Sequence, residues 1–176
     1  MPLAPLPAGL RYPCGRHLSR CWPAMTDWIC KPHTGLTVPE LYALLRLRAQ
    51  VFVVEQQCCY QDLDGQDLQG ATRHLLGWRD GQLAAYCRIL DPAIRDGEVA
   101  IGRVITAPSA RGQGLGHALI QQAMAQARLH WPGTPIYLSA QAHLRHYYGQ
   151  HGFVAVTGEY LEDDIPHIGM RLDESA

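Results

Sequence analysis

The stretch Val99-Ala100-Ile101-Gly102-Arg103-Val104-Ile105-Thr106-Ala107-Pro108-Ser109-Ala110-Arg111-Gly112-Gln113-Gly114-Leu115-Gly116-His117 runs from a β-branched segment into a glycine-spaced turn, and a helical run from Ala118 to Leu129 follows. Glycines at 112, 114 and 116 carry no Cβ, so the backbone there can adopt positive φ and bring successive N–H groups against an anion. Donors in the first turn of the following helix have no intrahelical partner, and the helix dipole favours negative charge at that end. Strand, anion-binding turn and helix in this order make the fold α/β and predict a pyrophosphate held by residues 111–117.

The spacing narrows the ligand. A nucleoside-triphosphate loop needs Gly-Lys-Ser/Thr after four variable residues, and a dinucleotide fingerprint needs a third glycine three positions after the second; neither is present. What remains is Arg-x-x-Gly-x-Gly, formed by Arg111, Gly114 and Gly116. Taken alone, that pattern also fits a glycine-rich surface turn.

Outward from this turn the chain alternates short apolar runs with helical ones. Trp28 to His33 reads as a first strand. Thr37-Val38-Pro39-Glu40 has capping-box spacing, and the helix behind it carries Leu41, Leu44, Leu45 and Leu47, with Val51-Phe52-Val53-Val54 expected to bury near its end. Asp80-Gly81 between His74–Trp78 and Leu83–Leu90 marks a tight hairpin. Trp131-Pro132-Gly133 stops the long helix. Pro135–Ala140 reads as a strand, His143–His151 as a short helix, Phe153–Val156 as a strand, and His167–Leu172 as the strand closing the sheet at its edge.

At 176 residues, with 47% hydrophobic and 18% charged residues, the chain suits one α/β core rather than two. A net charge of −1 argues against a nucleic-acid binder dominated by phosphate contacts. No apolar run approaches the roughly 20 residues that span a bilayer, so a soluble, cytoplasmic protein without a membrane partner is expected. Cys14, Cys21, Cys30, Cys58, Cys59 and Cys87 are irregularly spaced and read as free thiols in a reducing compartment; without a Cys-x-x-Cys pair no zinc site is expected. Residues 1–24 are proline-rich and lack an acidic residue. They read as a disordered extension or as sequence upstream of a true start at Met25, with an organelle transit peptide as the alternative, and 25–176 as the domain. Asp62-x-Asp64-Gly65-x-Asp67 looks like part of a calcium loop but lacks the glutamate at the twelfth position, and a loop shaping a substrate pocket is the preferred reading. His143-x-x-His146 with His151 could be a metal cluster, but no carboxylate joins it at ligand spacing, so no metal is expected.

The Arg-x-x-Gly-x-Gly turn after a strand resembles motif A of the GNAT superfamily of acyl-CoA-dependent N-acyltransferases. Tyr148-x-x-x-Gly152-Phe153 resembles that family's second signature. The order of elements agrees over about residues 28–172. Val51–Gln56, the Asp62–Asp67 stretch, Gly102-Arg103-Val104, Leu138–His143 and Ile165–Met170 are similar to segments of the ElaA-type branch. The resemblance implies one α/β (α+β) domain with a mixed, mostly antiparallel sheet of about seven strands flanked by helices, and acyl-CoA in the cleft where the central strands splay. It implies an acetyl-CoA-dependent N-acetyltransferase acting on a primary amine of a small molecule or peptide, with a homodimer as one form. A catalytically silent acyl-CoA-binding regulatory domain is the alternative, and a phosphate- or nucleotide-binding module using the glycine loop alone is a third reading.

The resemblance also implies roles. Val104, Ile105 and Thr106 would meet the pantetheine arm and acyl oxygen, and Arg111, Gly112, Gln113, Gly114, Leu115, Gly116 and His117 the pyrophosphate. Gln141 stands where many members have asparagine near the pantetheine. An amine attacking a thioester needs an amide donor at the carbonyl, a base for the ammonium proton and an acid for the sulfur. Tyr148 would be the acid. For the base, His74, His167, and Glu55 through water are all open. Arg103 would share the face of Ile105 and either bind an acidic group of the acceptor or pair with a carboxylate.

Overall fold

The computed structural model describes residues 25–57 and 60–173, so the extension read at 1–24 and the thiols Cys14, Cys21, Cys58 and Cys59 lie outside the described residues. Strand β1 is Asp27–Pro32, and helix α1 is Val38–Arg48. Thr37 opens α1 with both halves of a capping box: its hydroxyl accepts from the Glu40 amide at 3.4 Å, and the Glu40 carboxylate accepts from the Thr37 amide at 2.8 Å. The helix then widens into a π-helical stretch, Ala49–Glu55, marked by Gln56 N–H donating to the Val51 carbonyl. This corrects the expected burial of Val51–Val54: Val51 is buried, but Val53 and Val54 are exposed, because the wider turn rotates them off the core face.

Strands β2 (Arg73–Arg79) and β3 (Gln82–Leu90) form the hairpin expected at Asp80-Gly81, whose φ angles of 49° and 73° are both positive, as the tight turn requires. Then come β4 (Val99–Thr106), α2 (Leu115–His130), β5 (Ile136–Gln141), α3 (Arg145–Gly149), β6 (Val154–Glu162) and β7 (Ile165–Leu172). They make one seven-stranded sheet in the order β1-β2-β3-β4-β5-β7-β6, antiparallel except where β4 meets β5. The expected edge strand, β7, is therefore interior. β6 is the edge, and it runs to Glu162 rather than stopping at Val156. Ile168 and Met170 of β7 are buried whereas β6 is almost wholly exposed, and an exposed edge needs no apolar alternation to advertise it. The turn between them, Asp163-Asp164 with φ of 49° and 61°, is disguised as an acidic run.

Two cores flank the sheet. Leu115, Leu119, Ile120, Ala123 and Ala127 of α2 pack on Val99, Ile101, Ile136 and Leu138; Leu44 and Leu47 of α1 pack with Leu76, Tyr86 and Ile105. Ile101 and Ile105 thus face opposite cores although they are four residues apart on one strand. A regular strand would put them on the same face. The parity flips at Arg103, whose φ is +53°, and the register with β3 slips there, from Gly102↔Arg88 to Ile105↔Tyr86. This bulge, which no sequence pattern announced, sits at the centre of the sheet. No described helix is long and apolar enough to cross a membrane.

Candidate active site

β4 and β5 pair only at Val99↔Ile136 and Ala100↔Tyr137, then diverge. The fork opens a cleft of about 640 Å³ whose walls include Gly102, Arg103 and Val104 on one side and Leu138, Gln141 and Tyr148 on the other. Because the strands part, the inner edge of β4 beyond Ala100 has no β5 partner, leaving its backbone polar groups available to a ligand lying in the fork.

The glycine turn stands beyond the open end of the fork. Gly112 and Gly114 have φ of 75° and 72°, and α2 starts at Leu115, whose buried side chain anchors the first turn. Ala118 N–H donates to the Gly114 carbonyl at 3.2 Å, so the amides of Leu115, Gly116 and His117 precede the helical ladder, and no side chain caps them. Gly116 works differently from its two neighbours: it is helical, and a Cβ there would lie 2.9 Å from the Tyr147 hydroxyl, so its missing side chain lets α3 close on α2. His117 Nδ1 is 2.9 Å from His151 Nε2. Gln113 accepts from Arg79 at 2.8 Å. Arg111 forms a two-pronged pair with Glu55, Nη2 to Oε2 at 3.0 Å, and Nη2 also donates to the Thr106 carbonyl at 3.3 Å. Glu55 is thereby committed to the loop rather than to the fork, and its hydrogen bonds from Arg111 lower its carboxyl below the usual range.

The acidic stretch 62–67 is locked rather than solvated. Arg48, fully buried, donates through Nε to Asp62 at 2.9 Å and through Nη1 to Asp67 at 2.7 Å; Arg88 donates to Asp64 at 2.7 Å and to Asp67 at 3.0 Å; Arg103 donates to Asp62 at 2.8 Å and to Asp64 at 3.2 Å. Three guanidinium groups and three carboxylates cancel, holding the loop against α1, β3 and β4 and bracing the bulge at Arg103. Of the two readings of Arg103, the structure displays the pairing with carboxylates. Burial alone would raise the Asp64 carboxyl, but the Arg88 and Gln66 hydrogen bonds and the nearby charges outweigh it and hold the group at about 2. Asp67 is lowered by the same balance, with Arg48 and Arg88 opposing burial. Sequence reasoning missed this network. Its signal was a charged residue, Arg48, one helical turn from Leu44 on the apolar stripe.

His74 belongs to this network rather than to the fork. It is fully buried; Nε2 lies 3.0 Å from the Asp67 carbonyl and Nδ1 2.9 Å from the Tyr86 hydroxyl. A carbonyl only accepts, so Nε2 carries the proton and Tyr86 donates to Nδ1. Burial lowers its basicity.

Two outcomes follow from the locked loop. Asp67→Ala takes one carboxylate partner from each of two buried guanidinium groups, leaving Arg48 to Asp62 and Arg88 to Asp64, and should cost about 3 kcal/mol, lowering the melting temperature by about 6–12 °C; a shift under about 2 °C by scanning fluorimetry would mean the network is not cooperative. Acid should also destabilise the fold in two stages. His74, lowered in the folded state, contributes stability present above pH ~6.5 and lost as pH falls below it; Asp64 and Asp67 contribute stability present above pH ~4 and lost toward pH ~2. A melting temperature unchanged between pH 7 and 5 would remove His74 from this account.

On the opposite wall, Tyr148 of α3 is buried, stacks edge-on with Phe153 and Tyr147, and among the described residues its hydroxyl makes no hydrogen bond. Burial raises its pKa, so the phenol stays protonated at neutral pH. His167 also lines the fork, next to Gln141 in the β5–β7 register. Its Nδ1 donates to the Ile165 carbonyl at 2.9 Å, which leaves Nε2 with a lone pair when the ring is neutral.

The family model described as an acetyltransferase (GNAT) domain matches residues 42–174. The chain belongs to the GNAT family. Within the family it falls in the ElaA-type branch: it is 50% identical over 146 residues to the protein ElaA of Escherichia coli K12, spanning 83% of this chain and 95% of that one. A crystal structure of E. coli ElaA superposes with a TM-score of 0.81 at 48% identity, covering 85% of this chain and all of the other. An acyl-CoA N-acyltransferase from Pseudomonas aeruginosa superposes at 0.82 with 63% identity, covering 84% and 99%. This GNAT chain is accordingly an acyltransferase with one seven-stranded α/β domain.

Proposed function

We propose that the protein transfers an acetyl group from acetyl-CoA to a primary amine of a small molecule or peptide by direct attack on the thioester, in the cytoplasm. The observation that carries the reading is the Tyr148 hydroxyl: buried, protonated, without a protein partner among the described residues, and set in the wall of the fork. In this reading the amides of 112–117 and Arg111 hold the pyrophosphate, Arg111 exchanging Glu55 for phosphate. The pantetheine lies along the unpaired edge of Val104–Thr106, with Gln141 facing it, and a β4 amide meets the acyl oxygen. Tyr148 gives its proton to the departing thiolate. Arg103 and the locked 62–67 loop shape the acceptor side. His74 has both nitrogens engaged and Glu55 does not line the fork, so the groups on the fork wall that can take the ammonium proton include His167 Nε2 and the carboxylates of Glu162 and Asp163.

The test is calorimetry with acetyl-CoA, desulfo-CoA and ATP, followed by a free-thiol-release screen over polyamines, amino acids, aminoglycosides and short peptides. Acetyl-CoA binding and amine-dependent thiol release are expected. Acetyl-CoA binding without release by any amine favours the silent regulatory domain, and ATP binding without CoA binding rejects both.

A further inference from the structure

Strand parity gives the cleft a face of its own for the acceptor. Ile136, Leu138 and Ala140 of β5 pack in the α2 core, so Tyr137, Ser139 and Gln141 point to the opposite side of the sheet, and all three line the cleft there. Asp64 and Gln66 of the locked loop line it too. The helix whose first turn would hold the pyrophosphate lies on the other side, which leaves this face to the acceptor.

Its charges do not all cancel. Arg88 and Arg103 are taken up by the 62–67 carboxylates, but among the described residues the guanidinium of Arg95, also in the cleft wall, has neither a carboxylate nor a hydrogen-bond partner. It lies 3.8 Å over the centroid of the Tyr137 ring, a contact that covers one face of the guanidinium and leaves its N–H edge free. The backbone beneath it is pinned. Arg95 N–H donates to the Pro92 carbonyl at 3.1 Å, and the Arg95 carbonyl accepts from Glu98 at 2.8 Å; Asp91 holds the turn by accepting from the amides of Ala93 at 2.9 Å and Ala71 at 2.7 Å. Arg95 is thus a positioned, unpaired cation at the closed end of the fork, where Ala100↔Tyr137 is the last β4–β5 pair.

Charge of the other sign stands further along β5. Ser139, two residues on from Tyr137, donates to the Glu162 carboxylate at 2.7 Å and accepts from the Tyr160 hydroxyl at 2.7 Å, which fixes the carboxylate against the cleft wall. Asp163 follows in the same wall, and among the described residues neither acid pairs with a cation. His167 stands opposite Gln141 at that end.

The strand measures the distance between the two charges. β5 rises about 3.3 Å per residue, so Gln141, which faces the thioester in the reading above, is roughly 13 Å along the strand from Tyr137. A hydrogen bond of about 3 Å at one or both ends leaves about 7–10 Å between the nitrogen that attacks and an anion on Arg95. We infer that the acceptor is a primary amine carrying its own carboxylate about 7–10 Å away, with Arg95 binding the carboxylate and Glu162 and Asp163 drawing in the ammonium. The inference rests on the acetyltransferase reading and narrows its amine. Two sources have this spacing: the ends of an extended di- or tripeptide, at about 3.3–3.6 Å per residue, and the ε-amine and carboxylate of lysine.

Thiol release is measured with acid and amide pairs that share one amine: alanyl-alanine and trialanine against their C-terminal amides, and Nα-acetyl-lysine against its amide. In the parent, at least one acid should exceed its amide in kcat/KM by roughly 10- to 100-fold, mostly through KM, because a charge-assisted contact remote from the reacting atoms is made equally before and during the reaction. The faster pair identifies the source. Arg95→Gln should bring that acid-to-amide ratio to within threefold of one, and Arg95→Lys should restore part of it. Free alanine, whose amine adjoins its carboxylate, should trail the faster acid by at least tenfold. Acid-to-amide ratios within threefold of one in the parent overturn the inference, as does a parent-like ratio in Arg95→Gln, or a polyamine or alanine reacting ahead of every acid. Those outcomes leave the transferase reading standing, whereas a parent that releases no thiol with any amine rejects that reading and the inference with it.

Discussion

Tyr148→Phe is expected to lower turnover by roughly 10² to 10⁴, the range for losing a general acid, equivalent to about 3–5 kcal/mol of transition-state stabilisation. The ring that packs edge-on with Phe153 and Tyr147 is kept, so the fold and the affinity for acetyl-CoA should change little. The reason for so large an effect is the environment. A thiolate leaving in a buried cleft has little water to protonate it, and the Tyr148 hydroxyl in the cleft wall is held neutral by burial. The pH profile gives a second readout: the acid must be protonated to work, so the parent's alkaline limb should lie above pH ~10 and be lost in the variant. Turnover within threefold of the parent at saturating acetyl-CoA, with chemistry shown to limit the rate, would leave Tyr148 only a packing role.

Gly114→Val should abolish useful CoA binding while leaving a folded protein. At φ of 72° a β-branched residue costs about 1–2 kcal/mol of backbone strain, but nothing lies within 4 Å of where its Cβ would go, so no core contact is disturbed. The harm falls on the ligand. The new side chain occupies the space over the first-turn amides of α2, and losing about two charge-assisted hydrogen bonds at ~1.5–3 kcal/mol each weakens binding by roughly 10²–10⁴. Calorimetry with CoA, beside circular dichroism of the same sample, separates the two effects. Affinity within threefold of the parent in a folded variant would remove the glycine turn from the pyrophosphate site.

The glycine turn was legible because its chemistry is local: two positive-φ glycines and the helix start fall within a few consecutive residues. Gly116 shows where that reading stopped. From the sequence it was a third flexible glycine, yet its value lies in contact with Tyr147, a residue on another helix. His74 and His167 divide in the same way. Both were histidines at strand starts, and only their surroundings separate a buried ring with both nitrogens engaged from one facing the fork.

The sequence by itself determined the order of strands and helices, the capping box at Thr37, the tight turn at Asp80-Gly81, the glycine turn before α2 and the family likeness. The capping box and the two turns depend on backbone dihedrals and hydrogen bonds spanning about four residues, where residue type leaves few choices, while the order of elements follows from apolar periodicity and the likeness from motifs spread over residues 28–172. The tertiary structure alone decided that β7 is interior, that β4 bulges at Arg103, and that Ser139, Tyr160 and Glu162 stand in a row. It also chose the partners of the buried charges, joining Arg48 to Asp62 across 14 residues and Arg103 to Asp62 across 41. Pairings at that range are set by which surfaces the hydrophobic core brings together, and the desolvated guanidinium groups then take whichever carboxylates the folded chain places within reach.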